Sequence, residues 1–247
     1  MGQTIRIQGL PFRHDWEAVL TPLLDYVSQL EGVDPDRMAL ISVSLGGFLG
    51  PRAAIFDHRL KALVVNTGVL NWYKVYEAVI DSIDPNLLDL LETDSEAFDS
   101  AVEQVMSVSD FLRWGLVDSM WHHGVNKPSE LMFEIQKYNI EGMVQNITSA
   151  TLVIDGEAEE RGQAWEFYSA LTGAETKEYI LFTAEEAAQF HVQPGATAIL
   201  SMRTFNWLDD ILVGGKMENV DDLSSGASTF VTSSIALCLS LCSILLM

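Results

Sequence analysis

The stretch ALISVSLGGFLGPRAA, residues 39–54, holds the reading of the whole chain. An apolar, β-branched run stops at Ser44, two glycines follow, and a helix-compatible segment begins. A short buried strand is expected up to Val43 and a helix from Gly46 onward. Between them, Ser42-Val43-Ser44-Leu45-Gly46-Gly47 fits small-x-Ser-x-Gly, the pattern of a nucleophile elbow. A serine on so sharp a turn is presented above the sheet only if its neighbours two before and two after are small. The Leu45 amide, at the helix start, would then face a developing oxyanion. An inert serine in a tight strand-to-helix turn is the plainer alternative, and partners elsewhere in the chain must separate the two.

Working outward, residues 15–30 place Trp16, Val19, Leu20, Leu23, Leu24, Val27 and Leu30 at helical spacing, with Asp15 as the expected N-cap and Pro22 as a place to bend. LKALVVNTGV is a second buried strand, so strand–helix–strand opens a parallel sheet. From about 70 to 147 the sequence is helical, acidic and free of strand signals, which predicts an inserted helical cap. Its acidic residues are expected on a solvated face, and Trp72, Tyr73, Tyr76, Trp114 and Trp121 in its core. ATLVIDGEAE and KEYILF are two further strands, RGQAWEFYSALTG and ATAILSMRTFNWLDDIL two further helices. The expected organisation is core residues 1–69, cap 70–147, core again 148–213, a linker 214–228 and an apolar tail 229–247. No internal repeat is present.

A serine hydroxyl needs a base. In this class of parallel α/β protein the order along the chain is serine, acid, histidine. Asp155 ends a strand at the end where the acid belongs, and Glu157 and Glu159 stand close enough to take the role if the register shifts. His191, in the loop between the last strand and the closing helix, is the expected general base. His14 and His58 flank the elbow region. His122 and His123 look like a metal-ligand pair but have no third ligand at helical spacing, which predicts a surface or substrate-lining role. No phosphate-cradling loop is present, and no cofactor or metal is expected.

The formal net charge is −21 over 247 residues, with 48% hydrophobic and 20% charged side chains. Such acidity argues against nucleic acid, whose binders carry a basic face. Both cysteines, Cys238 and Cys242, lie in the tail, so the body has no disulfide framework. No apolar leader stands at the N-terminus, which points to the cytoplasm. The uncharged run from Phe230 is about 18 residues, at the short end of what spans a bilayer. It follows the small residues Ser224, Ser225, Gly226 and Ala227. Membrane attachment through 230–247 is therefore expected, by a tail anchor or a signal like that for GPI attachment. An extension without function is the alternative.

Three stretches together resemble one family: GQTIRIQGLPFRHDWEAVLTPLLDYV, LISVSLGGFLGPRAAIFDHRLKALVVNTGV, and LFTAEEAAQFHVQPGA with FNWLDDIL. They are similar to fungal α/β-hydrolases of secondary metabolism, such as polyketide-shortening pigment hydrolases and hydrolases of the fusarin and cytochalasan pathways. More distantly they are similar to bacterial 2,6-dihydroxypseudooxynicotine hydrolase. The resemblance runs from about Gly2 to Leu212. It implies an α/β-hydrolase core with a helical cap, a Ser44–Asp155–His191 triad, and hydrolysis of C–C or ester bonds in polyketide-like carbonyl compounds, or assistance to ring closure. It implies a small-molecule substrate, and a homodimer is carried as a further partner expectation. Ser42 departs from the family's usual glycine, and Val192 from its frequent cysteine after the histidine. The family also carries a further N-terminal part, including a Gly-rich loop with a second oxyanion donor. This chain is expected to lack the first strands and that loop, which makes a catalytically impaired remnant the alternative to an active hydrolase.

Overall fold

A computed structural model describes residues 6–159 and 162–214, together with the backbone of 239–242. Strands β1 (Ala39–Val43), β2 (Ala62–Asn66), β3 (Ala150–Gly156), β4 (Lys177–Phe182) and β5 (Leu239–Cys242) form one parallel sheet in the order β4-β3-β2-β1-β5. Helix α1 (Glu17–Val27) precedes β1, and α2 (Gly46–Ala54) crosses from β1 to β2. Asp15 does not cap α1. The N-cap position is Trp16 with no side-chain cap, and the Asp15 carboxylate is taken by Arg13 at 2.5 Å. Pro22 is accommodated inside the helix.

Between β2 and β3 the usual single crossover helix is replaced by five: α3 (Trp72–Ile83), α4 (Asn86–Thr93), α5 (Ser95–Val108), α6 (Asp110–His123) and α7 (Pro128–Ile135). Side-chain caps explain several starts. Asn71, Asp94 and Ser109 accept from Lys74, Ala97 and Leu112 amides, and α6 stops at Gly124 with φ +71°. One cap carboxylate leaves the solvated face expected for it. Asp99 is buried and accepts from the Ser129 amide at 2.7 Å and its hydroxyl at 2.9 Å, tying α5 to the start of α7. Gln163 ties the insertion to the sheet, since its Oε1 accepts from the Leu70 and Asn71 amides and its Nε2 donates to Asn71 O. The chain then runs through α8 (Ala164–Ala170) between β3 and β4, and α9 (Thr197–Val213) follows β4.

Two apolar cores follow from the alternation of strand side chains. Leu63, Val65 and Val153 point to the face shared with α1, α2, α8 and the helical insertion. Val64, Leu152 and Ile154 point to the face covered by Trp207 and Leu208 of α9. Every residue of β2 is buried, as expected of a central parallel strand. At roughly 1.5–3 kcal/mol per buried Val or Leu side chain, this strand anchors the sheet. In β1 only Leu40 and Ser42 are buried.

Two aromatic placements differ from expectation. Trp72 and Tyr76 are buried, but Trp114 and Trp121 are 50% and 43% exposed, on the outer face of α6 with Phe111 and Val117. The inner face carries Gly115, Leu116, Ser119, His122 and His123. Thus His122 and His123 are interior packing residues rather than surface residues: both rings pack on Phe12, and His123 Nδ1 lies 2.9 Å from Ser119 O. Burial, with Arg6 nearby, pushes His122 down to about 4, against the pull of the Asp118 carboxylate 3.0 Å from its Nδ1. The unfolded chain binds a proton at this site near pH 6.5 and the folded chain does not, so stability is full above pH 6.5 and falls as pH drops toward 4. His122→Gln should flatten that part of a Tm-against-pH curve. A wild-type and variant pair with parallel curves would contradict it.

Among the described residues no helix is long and apolar enough to cross a membrane. Most of the tail expected to attach to a membrane lies outside the described residues. The described part, 239–242, runs as a strand parallel to β1.

Candidate active site

The elbow forms where its sequence placed it. β1 ends at Val43, Ser44 takes φ +56°, and α2 starts at Gly46. A left-handed conformation at a non-glycine residue costs of order 1–3 kcal/mol and persists only where its surroundings hold it. Here the Ser44 amide donates to Asn66 O at 2.6 Å, and Ser44 O accepts from the Gly47 amide at 2.7 Å. The small neighbours have measurable reasons. A Cβ on Gly47 would lie 1.7 Å from Thr67 O, and one on Gly50 would lie 1.9 Å from Ser42 Oγ. Ser42 fits in place of glycine only because Gly50 faces it, and its buried hydroxyl finds no partner among the described residues.

Ser44 is buried, and its Oγ lies 3.0 Å from His191 Nε2. The other ring nitrogen, Nδ1, meets the Glu159 carboxylate in a short contact. A carboxylate only accepts, so Nδ1 carries the proton and Nε2 is left with a lone pair toward the serine hydroxyl. Ser44, His191 and Glu159 are thus brought together from the β1–α2 turn, the β4–α9 loop and the loop after β3. The Leu45 amide, at the start of α2, makes no hydrogen bond among the described residues and remains open as a donor.

Asp155 is not the carboxylate that meets His191. The three acids of DGEAE go to three places. Asp155, still in the strand, points to the face of Tyr179, whose hydroxyl donates to it at 2.8 Å, and its other oxygen takes the Gly156 amide. Glu157 Oε2 accepts from the Ala184 amide at 2.7 Å. Glu159 reaches the imidazole. The chain lies close against the histidine loop here, because a Cβ on Gly156 would stand 2.4 Å from Gln189 O and the Ala158 amide donates to that same oxygen. Burial, then the Glu159 charge, holds the Asp155 carboxyl above the usual carboxylate range, against the lowering pull of Tyr179 and the Gly156 amide. The available sequence signal for Glu159 was reach, since a side chain three residues beyond the strand-ending glycine can turn to the neighbouring loop.

Two residues of the site carried no sequence signal. Asn66 ends β2 and Gln193 follows His191 by two, both buried, with Asn66 Nδ2 donating to Gln193 Oε1 at 2.8 Å. Val192 and Gln193 have φ +55° and +52°. Among the described residues no group of three or more His, Cys, Asp or Glu side chains is disposed to hold a metal ion.

A parallel sheet with a serine elbow at the end of one strand and the histidine loop after another, two strands lying between them, is the α/β-hydrolase fold, and solved structures agree. 2,6-Dihydroxy-pseudo-oxynicotine hydrolase superposes with a TM-score of 0.59 at 16% identity, covering 86% of this chain and 50% of that one. The α/β hydrolase GrgF from Penicillium superposes with a TM-score of 0.56 at 14% identity, covering 82% and 74%. In sequence the chain is similar to fungal hydrolases, as the three resembling stretches implied. These include Hydrolase acrC of Aspergillus aculeatus (30% identical, 85% of this chain and 51% of the relative), Hydrolase LUC6 of a Fusarium species (29%, 85% and 52%) and 20-hydroxy-prefusarin hydrolase FUS2 of Gibberella moniliformis (26%, 84% and 52%). The chain spans about half the length of these curated relatives. No family profile matches it.

Proposed function

We propose that this chain carries the active centre of a serine hydrolase acting on a polyketide-like carbonyl substrate. The observation that carries the reading is the hydrogen-bonded run Ser44 Oγ, His191 Nε2, His191 Nδ1, Glu159 at a strained elbow. In this reading Ser44 Oγ attacks the carbonyl carbon while His191 Nε2 takes its proton, and Glu159 stabilises the imidazolium. The oxyanion forms against the Leu45 amide. His191 then gives the proton to the leaving group, an alkoxide oxygen for an ester or a carbanion stabilised by a neighbouring carbonyl for a β-dicarbonyl. Water, deprotonated by the same imidazole, releases the acid and restores Ser44. The relatives' names support hydrolysis, and one of them names 20-hydroxy-prefusarin as what that protein acts on. The substrate class proposed here follows that likeness, since the same three residues serve esters and C–C bonds alike.

Treating the chain with a fluorophosphonate and measuring intact mass tests the reading. One adduct is expected on the wild type and none on Ser44→Ala. An unlabelled wild type that is nonetheless folded by circular dichroism would favour the impaired-remnant alternative.

A further inference from the structure

We infer that Asn66 and Gln193 are a positioning pair that couples β2, the strand whose end holds the Ser44 amide, to the histidine's loop and sets His191 over Ser44. The inference rests on the reading of Ser44 and His191 as nucleophile and base, and deepens it. Neither residue touches the reacting atoms.

Asn66 works in two directions. Its backbone oxygen accepts from the Ser44 amide at 2.6 Å, and its side-chain nitrogen donates to Gln193 Oε1 at 2.8 Å. Gln193 in turn closes the turn that carries His191. Its backbone amide donates to Phe190 O at 2.9 Å, and its Nε2 approaches the same oxygen at 3.4 Å. The residues on either side of His191 are therefore fastened together, and the fastening is tied through one amide–amide bond to the strand whose end seats Ser44. Both side chains are nearly inaccessible, Asn66 at 2% and Gln193 at 0% exposure. A buried primary amide with no bond to make is costly; Asn66 Oδ1 is buried without a partner among the described residues, so the bond from Nδ2 to Gln193 is the one that fixes the Asn66 side chain. The loop also needs holding. Ala187, Val192 and Gln193 all sit at positive φ, and Phe190 is 54% exposed, so packing of that side chain does little to fix the turn. Misplacement of a base by about an ångström is enough to cost around 100-fold in rate.

The test uses near-isosteric variants of the full chain, so that no cavity opens. Gln193→Met and Asn66→Leu remove the amide–amide bond. The readouts are the second-order rate of phosphonylation at Ser44, Tm, and the downfield proton signal of the His191 Nδ1–H, identified by its loss in His191→Gln. Gln193→Met and Asn66→Leu should each slow phosphonylation about 10- to 100-fold and broaden or shift the His191 signal. The double variant should be no slower than the slower single, because one bond is lost once. Single-variant rates within about twofold of wild type, or losses that multiply in the double variant, overturn the pairing. A wild type that does not label overturns the nucleophile assignment instead. The proton signal then decides the pairing, which survives if Gln193→Met displaces the signal and falls if the signal is unchanged or absent from the wild type.

Discussion

Glu159→Gln is expected to lower kcat/KM by about 10³- to 10⁴-fold, while Asp155→Asn leaves it within a few-fold of wild type. The first effect comes from the tautomer. Glu159 accepts the Nδ1 proton of His191, which leaves Nε2 free to take the Ser44 proton. An amide in its place has a donor to offer Nδ1, and a ring that accepts there carries its proton on Nε2, where it cannot act as a base. The imidazolium formed during attack also loses its counter-charge. The second effect follows from where Asp155 points. Its partners are the Tyr179 hydroxyl and the Gly156 amide, and asparagine still offers an oxygen acceptor, while a buried carboxyl already held above its usual range sheds its charge. Phosphonylation rates of the two variants, beside melting curves to show that both are folded, check the assignment. If Asp155→Asn is the crippled variant and Glu159→Gln the mild one, the carboxylate roles are reversed and the loop after β3 works in another conformation.

The contrast between those acids shows what a sequence exposes and what it withholds. Ser44 was legible because its signal is local: a strand, small residues at fixed offsets, a helix. His191 was legible because loop position and chain order suffice to place it. The carboxylate that meets the imidazole was not, because three carboxylates sit within five residues of one strand end. Selection among them depends on Gly156 lying against Gln189 O, a contact across 33 residues that no local pattern records. Helix α6 fails for a different reason. Large aromatics stand on one face, and Gly115, Ser119, His122 and His123 on the other. Ranking residues by hydrophobicity selects the aromatic face as the inner one. The helix instead buries its smaller, more polar side, where Ser119 Oγ is within 2.9 Å of the Tyr76 hydroxyl and both histidine rings pack on Phe12. Asn66 and Gln193 were invisible for the same reason as the acid: an amide has no meaning until its partner, 127 residues away, is known.

Gly47→Ala should be among the most damaging single methyls in the described residues. Two effects oppose each other. Alanine favours a helix over glycine by about 1 kcal/mol, and residue 47 lies in the first turn of α2. Against this, the new Cβ would stand 1.7 Å from Thr67 O and 2.9 Å from Thr67 C. Both are backbone atoms of the segment that follows Asn66, so relief means moving the peptide next to the one that accepts from the Ser44 amide. Overpacking against a backbone that cannot rotate away costs at the upper end of the usual range, and a net loss of about 2–4 kcal/mol is expected. For a chain of this size that is a fall in Tm of about 5–15 °C. Phosphonylation at Ser44 should fall with it even below the melting transition, because the elbow itself is displaced. Gly50→Ala is the informative comparison. Its new Cβ would meet the Ser42 side chain, 1.9 Å from Oγ, rather than backbone. Combining it with Ser42→Gly should therefore recover most of its loss, whereas no side-chain truncation recovers Gly47→Ala. A Gly47→Ala protein that melts within about 2 °C of wild type and labels at the same rate would mean that α2 can withdraw from β2, and that the close approach is not what seats the nucleophile.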